Sequence, residues 1–140
     1  MSQAFLGANP GTVVTDALAP TLMEAETVNG ETTTGAWVEV GFPGDCVVVL
    51  ELGSMAAAAS LDVEIQGSDD GDDVSPEGLV SFGHFDTVGG SDDNEVRILD
   101  IQCYKRYVRA VATESGAADA VVSKITLAPP QFRMGNERTA

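Results

Sequence analysis

His84 is the only histidine of this chain, and Asp86 stands two positions on. Two positions is one period of a strand, so the two side chains share a face and the acid can orient the imidazole. That is two-thirds of a nucleophilic triad. Serines are plentiful, but no Gly-x-Ser-x-Gly elbow presents one to the ring. The plainer reading of His84 is a half-exposed strand histidine beside a carboxylate. Cys46 and Cys103 each sit in an apolar stretch, far apart in the chain. Two distant cysteines and one histidine do not give the ligand spacing of a zinc site, and the pair reads as buried thiols rather than a bridge.

A second chemistry is suggested by Ser68-Asp69-Asp70-Gly71-Asp72-Asp73, which crowds carboxylates around a glycine turn. Calcium takes about six to eight oxygen ligands, and such a loop can supply several. Asp69, Asp70, Asp72 and Asp73 are therefore the metal candidates, although their spacing departs from the EF-hand pattern. Asp92, Asp93 and Asn94 form a smaller acidic turn. The competing reading is that Asp-Gly and Asp-Asn build surface turns, in which case no metal or other cofactor is required.

Arg97, Lys105, Arg106 and Arg109 form a basic cluster with Tyr104 and Tyr107 interleaved. On its own this pattern resembles a stacking platform for single-stranded nucleic acid, and Trp37 with the two tyrosines could face a sugar. The whole chain argues otherwise. Its 140 residues hold 22 acids and 7 bases, for a net charge of −15, and only 6% are aromatic. Residues 1–96 carry 18 acids and no Lys or Arg, so every base lies at or after Arg97. Such a chain repels phosphate backbones and anionic lipid, so neither nucleic acid nor membrane is an expected partner. The late bases are expected to pair with early acids across strands. No apolar run approaches the ~20 residues that span a bilayer, and Met1–Pro10 lacks the basic and apolar regions of an export signal.

The elements that must hold these residues are strands. Length and composition give one domain with an ordinary globular core. From Thr21, short runs rich in Val, Ile and Thr alternate with Gly, Asp and Asn clusters. Eight strands are predicted: Thr21–Val28, Ala36–Val40, Cys46–Leu52, Leu61–Gly67, Val80–Thr87, Glu95–Ile101, Arg106–Thr113 and Ala120–Leu127. Leu61 to Gln66 alternates strictly, one face dry and one wet. Cys46 to Leu50 is apolar on both parities and reads as a central strand, or one whose outer face is covered. Two strands change phase, after Gly83 and between Ile98 and Leu99, so a glycine or bulge is expected at each. Ser54–Ser60 reads as a crossing loop with room for one helical turn. The fold class is all-β, an eight-stranded antiparallel sandwich of jelly-roll type over residues 21–128. Residues 1–20 read as an extended arm too apolar for a linker, with Phe5, Leu6, Val13 and Val14 as contact residues, the competing reading being a frayed terminus. After Pro129 and Pro130, which end the last strand, residues 129–140 are a short tail opening with Phe132 and Arg133.

Two stretches carry a resemblance. Val63-Glu64-Ile65-Gln66-Gly67-Ser68-Asp69-Asp70-Gly71 is one. Tyr104-Lys105-Arg106-Tyr107-Val108-Arg109-Ala110-Val111, with the closing strand Val121 to Leu127, is the other. Over residues 36–128 the chain resembles the small β-sandwich head decoration (cement) proteins of tailed bacteriophages. That resemblance implies a protein without catalysis, made in the host cytoplasm and bound to the outside of the virion. Its partners would be the major capsid protein and its own copies, as a homotrimer, clamping the shell against internal DNA pressure. Alternatives are a phage tail or neck component, a calcium- or carbohydrate-binding module, and, least supported, a hydrolase built on His84.

Overall fold

The computed structural model describes residues 20–40 and 44–128. The contact candidates Phe5, Leu6, Val13, Val14, Phe132 and Arg133 lie outside the described residues. The elements are β1 (Thr21–Met23), β2 (Glu26–Val28), β3 (Thr32–Thr34), β4 (Val38–Glu39), β5 (Gly44–Met55), β6 (Ser60–Ser68), β7 (Val80–His84), β8 (Val88–Gly89), β9 (Val96–Cys103), β10 (Tyr107–Glu114) and β11 (Ala120–Ala128). No helix occurs among the described residues.

These strands form two antiparallel sheets. In the first, the order is β1-β11-β5-β9, with β2 also on β11. In the second it is β3-β10-β6-β7, with β4 also on β10 and β8 also on β6. β1 and β2 therefore lie end to end along β11, and two other short pairs do the same along β10 and β6. Each sheet is thus four lanes wide. Period-two alternation explains the shared core: Leu61, Val63 and Ile65 of β6 and Val108, Ala110 and Ala112 of β10 face Val48, Leu50 and Leu52 of β5 and Ile125 and Leu127 of β11. The architecture is consistent with a β-sandwich.

Eleven strands stand where eight were expected, because a break divides one predicted run and two short strands lie outside the predicted ones. Thr21–Val28 breaks into β1 and β2, and the pairing of β1 slips in register between Thr21 and Met23. β3, the Thr32–Thr34 run, and the two-residue β8 were not anticipated. The expected phase change in β7 is present: Gly83 has φ +150° and the β6–β7 register slips opposite it. The one expected in β9 is absent. β9 pairs with β5 in unbroken register from Glu51–Val96 to Gly44–Cys103. Its alternation is uninterrupted, with Ile101 and Cys103 inside and Val96 and Ile98 exposed outside, so this strand is apolar on both faces. No helical turn occupies Ser54–Ser60; β5 runs on to Met55, and a tight turn closed by Ala59 N–H to the Ala56 carbonyl crosses to the other sheet. β5 is central, as its doubly apolar sequence requires. Cys46 and Cys103 are free buried thiols on neighbouring strands. The Cys46 thiol, hydrogen-bonded to Cys103 and buried, is pushed well above the usual thiol range.

At one end of the sheets, β10 places Glu114 on its inward parity, almost fully buried. One carboxylate oxygen accepts the amides of Gly30 (2.7 Å) and Ala118 (3.1 Å), and the other those of Ser60 (2.9 Å) and Gly116 (2.7 Å). Those amides belong to the β2–β3, β5–β6 and β10–β11 connections, each of which carries the chain between sheets. Gly116 is required here, because a Cβ on it would run into the Ala58 carbonyl. The Ser60 amide foremost, with the other three, holds the Glu114 carboxyl down to about 2 from its ordinary 4.5. A depressed carboxyl stabilises the fold fully above its unfolded value and loses that contribution as pH falls through its folded one. Glu114→Gln replaces one acceptor oxygen with a donor among four donors. Its Tm at neutral pH should fall by upward of roughly 5 °C. Its stability should also decline less than the parent's between about pH 4.5 and 2, as followed by circular dichroism melts.

Candidate functional site

At the opposite end lie the start of β10, the end of β6, the start of β5 and the last residue of β11. The acidic loop leaves β6 here, the β9–β10 connection brings in Tyr104 to Arg106, and the described chain both begins and stops here. The Leu127 amide donates to the Pro20 carbonyl at 3.0 Å, so the two exits are side by side.

The acidic loop is held by its own side chains. Ser68 and Asp70 cap it: Asp70 Oδ1 accepts the Ser68 hydroxyl (3.1 Å) and the Asp72 and Glu77 amides (both 3.0 Å). These bonds, the Asp72 amide first, hold the Asp70 carboxyl below its usual range. Asp72 accepts the Val74 amide at 2.8 Å. Asp69 turns to Lys105 Nζ at 3.2 Å, and Asp73 to Arg109 Nη1 at 3.1 Å. No two of the four metal candidates share a partner. Among the described residues no group of three or more His, Cys, Asp or Glu side chains is arranged to hold a metal. The loop is built as a turn, as Asp-Gly chemistry allows.

The predicted basic cluster is split: Arg97 lies toward the Glu114 end and pairs with acids just before it in the chain, while Lys105, Arg106 and Arg109 meet early acids at the exit end. Arg97 meets Asp92 (3.2 Å) and Glu95 (3.0 Å), and Arg106 meets Glu39 (2.8 Å). Arg109 is the most embedded: its side chain is 13% exposed, its Nε donates to Gln66 Oε1 at 2.8 Å, and its guanidinium lies 4.2 Å from the Trp37 ring centroid. Arg106 stacks on Tyr107 and Lys105 on Tyr104. Tyr107 in turn packs over Gly71, whose φ of +65° and lack of a Cβ let the loop pass beneath the ring. Tyr104 stands 64% exposed, its ring edge-on to Phe82 at 5.3 Å. The result is a layer of alternating rings and cations, clasped by acids from the loop above it.

His84 lies elsewhere, on the outer face of the second sheet. Its ring nitrogens meet Asp62 (3.3 Å) and Glu64 (3.5 Å) of β6, not Asp86, because β6 is its hydrogen-bonded neighbour. Among the described residues no hydroxyl or thiol hydrogen-bonds to it. A cleft of about 300 Å³ opens between the β1–β2 and β3–β4 edges, lined by Thr21, Thr33 and Thr34, by Glu24 and Glu26, and by apolar residues such as Leu22 and Val38.

Arg109→Lys keeps the charge but loses the planar stack on Trp37 and the fork between Gln66 and Asp73. It should cost about 1–2 kcal/mol in chemical denaturation and shift the emission of Trp37, the only tryptophan. Calcium in millimolar excess, compared with chelator, should leave Tm unchanged, since a specific site would raise it. Compared with known proteins, the chain matches no family model and no curated relative.

Proposed function

We propose that this chain is a non-enzymatic virion protein that decorates the outside of a tailed-bacteriophage capsid. It is made in the host cytoplasm, docks on the assembled shell and bridges neighbouring major capsid protein subunits, its copies arranged as a homotrimer. The observation that carries this reading is the gathering of both chain exits, the exposed Tyr104 and the clasped ring-and-cation layer at one end, while Glu114 closes the other. A rigid slab with its extensions leaving from one end is the form a clamp needs. Extended apolar segments can add to strand edges or lie in grooves of a partner, and several weak attachments hold firmly together. The net charge of −15 keeps such a protein off packaged DNA and on the shell's exterior.

The fold belongs to the same reading, as a jelly roll. If each end-to-end pair of short strands is taken as one lane, the eight lanes in chain order run 1-8-3-6 and 2-7-4-5. Lanes 1 and 8, 2 and 7, 3 and 6, and 4 and 5 are then partners, as in one long hairpin rolled over on itself. Rolled hairpins of this kind are common in viral shells. A sugar-binding module has less support, because Trp37 lies under Arg109 and Tyr107 covers Gly71, leaving Tyr104 as the open ring.

Removal of residues 1–20 tests the arm. The remaining chain contains every described core residue and should melt as one cooperative unit, yet fail to co-sediment with expanded capsids. Full binding by the shortened chain would overturn the arm's role.

A further inference from the structure

The outer face of the first sheet is unlike that of the second. β5 turns Cys46, Val48, Leu50 and Leu52 into the core, so Val47 and Val49 face away from it. Ile98 lies opposite Val49 on β9, and Val96 follows one pleat further along. Val96 is 60% and Ile98 67% exposed, while Val47, equally turned from the core, is 6% exposed. Of the four β-branched residues in this stripe Val47 is covered, Val49 half-buried, and Val96 and Ile98 open, and an open apolar sheet face of this kind invites uncontrolled association unless something lies on it.

The chain brings a candidate to the spot. β11 ends at Ala128, which is paired with Val47 itself. Twelve residues remain, opening Pro129-Pro130-Gln131-Phe132-Arg133-Met134. Two prolines cannot donate to a strand ladder. Phe132 and Met134 then alternate with Gln131 and Arg133, an apolar row against a polar one. Four residues past Ala128 allow a reach of about 13 Å. Val49 is one pleat, about 7 Å, from Val47, and Ile98 one strand, about 5 Å, to its side. Charge agrees: Asp45 and Glu51 flank the stripe on the outward parity of β5, and residues 129–140 carry Arg133 and Arg138 against a single Glu137.

We propose that the C-terminal tail of the same chain folds back over the outer face of the first sheet, seating Phe132 and Met134 on Val47, Val49 and Ile98. Phe132 is then a cover for its own sheet rather than a capsid contact. This placement takes the tail out of the capsid reading and leaves that reading to the arm, which the capsid co-sedimentation of the shortened chain tests separately.

The test is methyl NMR on the full chain with labelled Ile and Val. Phe132→Leu keeps an apolar side chain but removes the ring. The Val47, Val49 and Ile98 methyls should lose an upfield ring-current displacement, with the core methyls unmoved. Unchanged stripe methyls would overturn the proposal. So would displacement lost on Phe5→Leu instead, which would make the N-terminal arm the cover. In a mixture of labelled parent and unlabelled Phe132→Leu chains, the labelled stripe should look as it does alone. A change on mixing would mean that the ring comes from a second copy, and would also overturn it.

Discussion

A single buried carboxylate accepts four backbone amides from three separate connections, and the two sheets are aligned through it. Glu114 receives Gly30, Ser60, Gly116 and Ala118, so the β2–β3, β5–β6 and β10–β11 crossings share one anchor. Loops that carry the chain from sheet to sheet expose amides with no ladder partner. Burying them unpaired would be costly, and four neutral acceptors would need more room than the turn offers. A carboxylate answers all four with two oxygens, and the bonds are strengthened by its charge. The relative position of the sheets, and with it the single core between them, follows from that convergence.

This makes the molecule polar in its rigidity. The Glu114 end is held by backbone bonds that no surface substitution can reach. The exit end is held by side chains: Asp69 on Lys105, Asp73 on Arg109, Arg106 on Glu39, each in contact with water. Exposed ion pairs are individually weak and screened by salt. The end from which the chain departs is therefore the end that can adjust to a neighbour, and the far end keeps the sheets in register while it does.

Much of the frame is legible in the sequence. Strict alternation marks β6, and the double apolarity of Val47 to Val49 correctly makes β5 central; β11 escapes such reading, because its register shifts between Val122 and Lys124 and so turns both Val122 and Ile125 inward. β9 misleads because Val96, Ile98, Leu99 and Ile101 look like a slipped phase when they are two apolar faces of one regular strand. β3 is three threonines long, too short for periodicity to speak. Glu114 is the most informative oversight. The alternation Val108, Ala110, Ala112 places position 114 indoors, and an acid on an inward parity is itself a signal. The aspartate loop shows the opposite limit. Its composition is visible, but the partners of Asp69 and Asp73 are both 36 residues further along the chain. Only the β6–β10 pairing brings them near. His84 likewise takes its acids from β6, a strand apart, rather than from its own neighbour in sequence.

The pairing of the first lane with the last has a bearing on how the protein is born. β1 and β2 find their partner only in β11, and β5 lacks both neighbours until β9 and β11 have been synthesised. Neither sheet can close on a ribosome-bound fragment. During that wait the emerging residues 1–96 hold 18 acids without one Lys or Arg, so the nascent segment repels itself and stays expanded. Arg97, Lys105, Arg106 and Arg109 arrive together with the strands that complete the sheets. Collapse is thereby deferred until the partners needed for correct pairing are present, which shields a slow, long-range topology from premature aggregation.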